Sequence, residues 1–296
     1  MYTNIKLNNS IVDETFPVEK IADLLSTADQ VVIGAGAGLS ASAGLDYNDF
    51  SYFHQAYEPF FKRGYKNVSD AINRHWDLNE QTAKQYWGFW AYHINHAFYQ
   101  QAQLETYQLL YDIIESKDYF VITTNTDGQF FKGLYRQDKI FAMQGSYGLF
   151  QCQKGCHEES YDSRQYIDDM LKSIDEASME IKEECVPRCP VCKGLLSPNI
   201  RIDNHFVEGV HMVHSKSYAD FVDRSVLSGG RIVFLELGVG FNTPEVIRYP
   251  FEQMVEVIKQ STLIRVNIDK WPLSDKLDEK GYLVTMDTHR FLEKLK

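Results

Sequence analysis

Four short apolar runs, each stopping at glycine or at polar residues, constrain the fold of this chain more than any other feature. They are "QVVIGAGAG" from Gln30, "YFVITTN" ending at Asn125, "IVFLELGVG" ending at Gly240 and "TLIRVNID" ending at Asp269. Runs that are apolar throughout read as strands buried on both faces, and helical stretches separate these four. Together they predict an α/β fold with a Rossmann-like, doubly wound parallel sheet. Ligands of such sheets bind beyond the carboxyl ends of the strands, which is where the polar residues of all four runs fall, so one site is expected.

The stretch from Ser69 to Ser116 carries apolar and aromatic residues at three- and four-residue spacing, "YWGFWAYHINHAFYQQAQLETYQLLYDIIES" being its main part. It predicts helices covering one side of the sheet, within a helical module at about residues 50–116. Tyr92, His93 and His96 on it read as core or cleft-wall residues. "YLVTMDTHRFLEKLK" reads as a last strand and helix. At 296 residues one large domain with a smaller insert is the natural expectation: residues 1–150 and 206–296 for the large domain, 151–205 for the insert.

A net charge of −11 argues against nucleic acid as the main partner. No run of 18 apolar residues occurs, and "MYTNIKLNNSIVDETFPVEK" lacks the apolar centre of a signal peptide, so a cytoplasmic protein without membrane association is expected. All five cysteines lie between Cys152 and Cys192. In a cytosolic chain that clustering points to metal. Cys152-x3-Cys156 and Cys189-Pro-Val-Cys192 supply four thiolates in two pairs, suited to a closed, structural Zn2+ site. Cys185 is left over; it or His157 could take the place of one member, and a metal-free module is the other alternative.

Gly36, Gly38 and Ala41 fit the G-x-G-x-x-A loop that brings backbone close to a pyrophosphate, although glycine pairs also serve as plain turns. The acidic residue a nicotinamide dehydrogenase should show about 20 residues on is missing. The segment there, "DYNDFSYFHQAYEPFFKRGY", is aromatic and loop-like, which disfavours hydride transfer. "TTNTDG" (Thr123 to Gly128) sets an amide and a carboxylate two residues apart past a strand, as a ligand site or as an Asx turn with a helix cap.

In their order these motifs resemble the sirtuin family of NAD-consuming enzymes over nearly the whole chain. Gly36-Ala37-Gly38-Leu39-Ser40 match its first motif, Thr123, Asn125, Asp127 and Gly128 its second, Gly145-Ser146 its third, and Asn267 its ribose-binding Asn. The departures matter as much. Leu45-Asp46-Tyr47-Asn48 stand for P-D-F-R, Thr124 for a Gln, Gly238-Val239-Gly240 for G-T-S, and Gln144 for the catalytic His. This set is similar to the divergent microbial class found beside macrodomain proteins, for which the resemblance implies protein mono-ADP-ribosylation. It places the NAD site on Gly36, Ala37, Gly38, Ser40, Gly44, Asp46, Tyr47, Thr124, Asn125, Asp127, Gln144, Gly238, Val239, Gly240, Asn267, Ile268 and Asp269. It gives Asn125, Asp127 and Gln144 catalytic roles, and Arg201 is added as a group able to steady a carboxylate or phosphate.

Gln144 carries the functional argument. A deacylating sirtuin, as the family is understood, uses its His to take a proton from a ribose hydroxyl so that the acyl group can move. An amide has no basic lone pair, so deacylation should stall. Breaking the nicotinamide–ribose bond needs orientation and charge stabilisation more than a base. The expected activity is therefore NAD-dependent transfer of ADP-ribose to a protein with release of nicotinamide. The resemblance implies a lipoyl-carrying protein of the glycine cleavage H type as acceptor and a macrodomain hydrolase as partner. A weak lysine deacylase and a non-catalytic NAD or ADP-ribose sensor are the alternatives.

Overall fold

Seven parallel strands form the central sheet of the computed structural model, which describes residues 10–12 and 18–296. The N-terminal stretch read for targeting lies largely outside the described residues. In chain order the first part runs β1 (Ser10–Val12), α1 (Val18–Thr27), β2 (Gln30–Ala35), α2 (Ala37–Ser42), α3 (Phe50–Ala56), α4 (Glu58–Phe61), α5 (Val68–Arg74), α6 (Ala83–Ile94), α7 (Glu105–Ile114), β3 (Asp118–Thr123) and β4 (Ile140–Ala142). The second runs β5 (Gly145–Cys152), β6 (Ser160–Asp162), α8 (Arg164–Ser173), β7 (Leu196–Ile200), α9 (Gly209–Ser228), β8 (Ile232–Leu237), α10 (Arg248–Val257), β9 (Ser261–Asn267), β10 (Gly281–Thr285) and α11 (Thr288–Leu295).

The large sheet has the order β1-β10-β9-β8-β2-β3-β4. The four apolar runs became β2, β3, β8 and β9, its central strands, and every residue of β2 and β8 is buried. Successive connections step outward from β2 through β3 to β4 on one side and from β8 through β9 to β10 on the other. The order therefore reverses between β2 and β8, and the crevice at their carboxyl ends is where this topology places a ligand. β1 and β4 lay below the reach of the sequence pattern, being three residues each.

Side chains of α1, α7 and α11 bury one face of the sheet, and those of α9 and α10 bury the other. Here the expectation for the aromatic stretch needs correcting. Only α7 covers the sheet; α3 to α6 join β5, β7 and α8 in a separate core. Trp87 packs on Phe150 with ring centroids 4.7 Å apart, and a side chain at Gly88 would collide with the Met179 carbonyl oxygen. Periodicity identifies an apolar face but not the surface that face meets.

The insert is built on a three-stranded antiparallel sheet, β6-β5-β7. Its central strand starts at Gly145, so the small unit begins within the third motif rather than at residue 151. Gly145 adopts φ +94°, and a Cβ there would lie 2.1 Å from the Asn199 carbonyl oxygen. Glycine lets β5 lie this close to β7 where Gly145 pairs with Ile200, and brings the chain around Gln144 against Arg201. No helix among the described residues is long and apolar enough to cross a membrane.

Candidate active site at the strand switch point

Two glycine loops meet at the carboxyl ends of β2 and β8. Gly36 N donates to Leu237 O at 3.0 Å and Gly38 N to Gly238 O at 2.9 Å. A Cβ at Gly36 or at Gly38 would come within 2.7 Å of backbone atoms of residues 238 and 239. The sequence read the glycines as room for a pyrophosphate. Part of that room is taken by the neighbouring loop.

Past β3, the "TTNTDG" turn closes over the same point. Asn125 Nδ2 lies 3.0 Å from Gly36 O, 3.1 Å from Ser40 Oγ and 3.1 Å from the Tyr107 hydroxyl. Ser40 Oγ donates to Asp127 Oδ2 at 2.5 Å and lies 2.7 Å from the Tyr107 hydroxyl. Asp127 Oδ1 accepts from Gln129 N at 3.0 Å. The bonds to Gln129 N and Ser40 favour the carboxylate, but burial outweighs them and holds its pKa above the usual range. Both motifs are thus tied into one polar cluster, and the Asx-turn alternative is partly realised, since Asp127 caps the turn after Gly128 while also holding Ser40. Tyr107, on α7, was not identified from the sequence. It sits among helical aromatics, and nothing local distinguishes it from a core residue.

Gln144 reaches the cluster through backbone pairing. Met143 N donates to Thr123 O and Tyr147 N to Thr126 O, at 3.0 and 3.1 Å, which lays residues 143–147 alongside the Asn125 turn. Its side-chain Oε1 is buried without a hydrogen-bond partner among the described residues. Arg201 N donates to Gln144 O at 3.0 Å, Arg201 Nε to Met143 O at 3.2 Å, and its guanidinium pairs with Glu208 at 2.6 Å. Gln144 and Arg201 are therefore neighbours through their backbones.

The remaining expected contacts differ in availability. Asn267 is buried, with one bond at each polar atom of its side chain: Nδ2 donates to Val239 O at 3.0 Å and Oδ1 accepts from Asp269 N at 3.1 Å. Ile268 is exposed, and Thr124 is held by its N–H to Ala35 O at 3.0 Å. Asp46 caps a turn through Asn48 N at 2.8 Å, just after the exposed Gly44. Tyr47 packs edge-on against His93, ring centroids 5.2 Å apart. His93 itself is buried between the hydroxyls of Tyr57 at 2.8 Å and Tyr147 at 3.3 Å, and burial lowers its pKa to about 3. His96 is likewise lowered by burial. His211, bonded to Asn199 Oδ1 at 2.6 Å, is lowered to about 4 by burial and by the charges of Arg201 and His214.

Four of the cysteines lie in two close pairs, away from this cluster. Cys152 Sγ and Cys192 Sγ lie 3.6 Å apart, and Cys156 Sγ and Cys189 Sγ 3.7 Å. Tetrahedral Zn2+ with bonds of about 2.3 Å to sulfur requires S···S edges of about 3.8 Å, so the donor set fits the ion. His157 is a fifth donor; its Nδ1 lies 3.0 Å from Cys156 Sγ, and together with Cys152, Cys156 and Cys189 it forms a set within 4.8 Å. Cys185 stands outside that set. A closed site at the base of the small sheet can hold structure and offers no open position for chemistry.

No family model matches the chain. It is similar to the Protein ADP-ribosyltransferase of Staphylococcus aureus, 27% identical over 283 residues that cover 93% of this chain and 85% of the relative. It is also similar to a Probable bifunctional ADP-ribose hydrolase/ADP-ribosyltransferase of Fusarium oxysporum f. sp. cubense. That identity is 30% over 236 residues, covering 78% of this chain but 39% of the relative's length. Among solved structures, a Sir2 homologue complexed with 2'-O-acetyl ADP ribose superposes with TM-score 0.60 over 94% of both chains at 17% identity. A Sir2–peptide–NAD+ structure gives 0.55 over 95% of this chain and 97% of that one, also at 17%. The fold is that of the sirtuins.

Proposed function

We propose that this sirtuin-fold chain is an NAD-dependent protein ADP-ribosyltransferase. The bond broken joins nicotinamide to C1′ of its ribose; the bond formed joins that carbon to an acceptor atom on a protein. Nicotinamide departs with the bonding pair, and the acceptor's proton, where it has one, goes to solvent.

One observation carries the reading: an amide stands at position 144, beside the Asn125 turn, where acyl transfer needs a base, and neither His93 nor His211 is suited to replace it. His93, with a pKa of about 3 and both ring nitrogens engaged, and His211, with a pKa of about 4 and Nε2 engaged, are too weakly basic for proton transfer near neutrality. What the site offers suits cleavage of a glycosidic bond. Asn125 spends its Nδ2 on protein acceptors, leaving Oδ1 as the acceptor for a ribose hydroxyl or an attacking group. The buried Asp127 and the unpartnered Oε1 of Gln144 add negative character where positive charge develops at C1′. Arg201, beside Gln144, is placed to receive an acceptor carboxylate by exchanging it for Glu208.

The acceptor we favour is a lipoyl-carrying protein of the glycine cleavage H type, supported by the resemblance to the macrodomain-linked class. The fungal relative's name joins an ADP-ribose hydrolase to a transferase, which supports a hydrolase partner that reverses the modification. Adenine-labelled NAD and a lipoylated H-type carrier test the whole reading by intact mass. One ADP-ribose gained by the carrier, and lost with Asn125→Ala, is the expected result. Loss of acyl groups from an acyl-lysine peptide without labelled protein would overturn it.

A further inference from the structure

Arg248 and Arg265 are the two fully buried arginines among the described residues, and the proposed chemistry leaves both without a role; Arg248 is the one that touches the loop after β8. It opens α10, is 1% exposed, and belongs to a charge-neutral quartet beneath the loop that follows β8. Arg265 grips Glu236 with two bonds of 2.7 and 2.9 Å and reaches Glu252 at 2.8 Å. Arg248 Nη2 completes the set, 3.3 Å from Glu236. Glu236 is thus satisfied by Arg265 alone, and a second guanidinium adds little to its pairing. Two nitrogens of Arg248, Nε and Nη1, have no hydrogen-bond partner among the described residues.

What Arg248 does contact is the loop. Its Nη2 donates to Val239 O, the same oxygen that accepts from Asn267. Two donors from below fix that carbonyl toward the protein. Because a trans peptide sets C=O and N–H on opposite sides of one plane, the N–H of Gly240 must point the other way. That side is open: Gly240 is exposed, nothing lies within 4 Å of where its side chain would be, and neither Val239 N–H nor Gly240 N–H has a partner among the described residues. The guanidinium also lies under the ring of Phe241, 4.2 Å from its centroid. Phe241 in turn stands against Trp271 with centroids 4.5 Å apart while remaining 45% exposed. Beside the free amides, then, is an aromatic wall of a size suited to a purine.

We propose that Arg248 is the positioning residue of the dinucleotide loop. It turns the Val239–Gly240 peptide so that the Gly240 N–H faces the phosphates, and it backs the Phe241 ring as a wall for the adenine. The proposal rests on the NAD site above. It also accounts for Gly238-Val239-Gly240 having no hydroxyl side chain, since oriented backbone amides supply the donors.

Titration calorimetry with ADP-ribose, alongside steady-state kinetics in NAD, tests it. Arg248→Gln should weaken ADP-ribose binding and raise KM for NAD by about tenfold each, with kcat at saturating NAD within about twofold, because the lost contacts are remote from the breaking bond. Arg248→Lys keeps a charge opposite Glu236 and so retains the fold if the Gln variant does not. As a point charge without a planar face it should show the same loss in part. Phe241→Ala should weaken ADP-ribose severalfold without lowering Tm. Wild-type affinity in both Arg248→Lys and Phe241→Ala would overturn the positioning role alone. A wild-type protein that binds no ADP-ribose would overturn the NAD site and this inference together.

Discussion

Asn125 Nδ2 lies 3.0 Å from the carbonyl oxygen of Gly36, and that contact decides which way the carboxamide faces. A backbone carbonyl can only accept, so the nitrogen must be the atom turned toward it and Oδ1 the atom left for the cleft. Asn125→Asp puts an acceptor against an acceptor while nearly preserving shape. Transferase turnover should fall about 10²–10³-fold, the range seen for losing one preorganised polar group. Tm should fall as well, since the Asp oxygen would face Gly36 O unpaired. Asn125→Ala should show the kinetic loss with a smaller change in Tm.

Tyr107 comes within hydrogen-bond distance of Ser40 and of Asn125, 2.7 and 3.1 Å away. Burial holds its hydroxyl protonated far beyond neutral pH, so it is always available as a donor to the Ser40 oxygen, which passes its own proton to Asp127. Tyr107→Phe removes the donor but keeps the ring against Phe130. Stability should drop by about 1–2 kcal/mol. Activity should fall about tenfold through a looser Asn125, read as kcat with KM for NAD little changed.

Neither Tyr107 nor Arg248 was legible in the sequence, whereas Asn125, Asp127 and the glycines were, and the difference has a physical origin. A strand that ends in polar residues announces its function locally, because burial forbids such residues within the run and topology delivers every run's end to one crevice. Tyr107 sits in a helix whose aromatic neighbours serve packing, and Arg248 is 12 residues beyond Glu236, with no spacing rule relating the two. Both reach the site across the fold. The same limit applied to the helical module: the apolar faces of α5 and α6 were readable, the segment read as loop-like folds into α3 and α4, and their common partner, the β5–α8–β7 unit, depends on a strand pairing between Gly145 and Ile200 that no periodicity encodes.

Asp127 carries a pH signature. Burial raises its folded pKa above the unfolded value of about 3.8. The folded state then binds the proton more tightly than the unfolded state does. Asp127 therefore favours folding most below 3.8 and loses that contribution as pH rises through the folded pKa. Asp127→Asn keeps the shape and removes the buried charge. It should melt above wild type at pH 7, with the gap narrowing as the pH is lowered toward 4, while transferase activity falls throughout. Scanning calorimetry across pH 4–8 checks the sign; a wild-type advantage at pH 7 that shrinks on acidification would contradict it.

Gln144 should behave as a stabiliser of charge rather than as a base. Its Oε1 is buried and unpartnered, a state that costs folding free energy and is relieved when a ligand supplies a donor. Gln144→Ala should hold or raise Tm by deleting that oxygen and lower transfer by about tenfold without abolishing it, less than the 10²–10⁴ expected for a lost general base. The pH–rate profile of wild type and variant should have the same shape, because an amide does not titrate.

The zinc prediction turns on which fourth donor completes the site. His157 Nδ1 is 3.0 Å from Cys156 Sγ, too close for two ligands on tetrahedral edges and right for an N–H donated to a thiolate. Its Nε2 meets the Tyr161 hydroxyl at 2.5 Å, which holds the ring as an outer partner of the metal's own ligand. Cys192, 3.6 Å from Cys152 though outside the set within 4.8 Å, is then the expected fourth ligand. Metal analysis of purified variants should therefore show one zinc per chain in wild type and His157→Ala, and little in Cys192→Ala or Cys156→Ala. Equal loss from His157→Ala and retention by Cys192→Ala would exchange their roles. Because Cys152 and Cys189 belong to the same core as Trp87, Trp90 and Phe53, stripping the ion with a chelator should loosen α3 to α6 as well as the small sheet. Tryptophan fluorescence should shift before the parallel sheet melts, and transfer should fail with it, though zinc touches none of the reacting atoms.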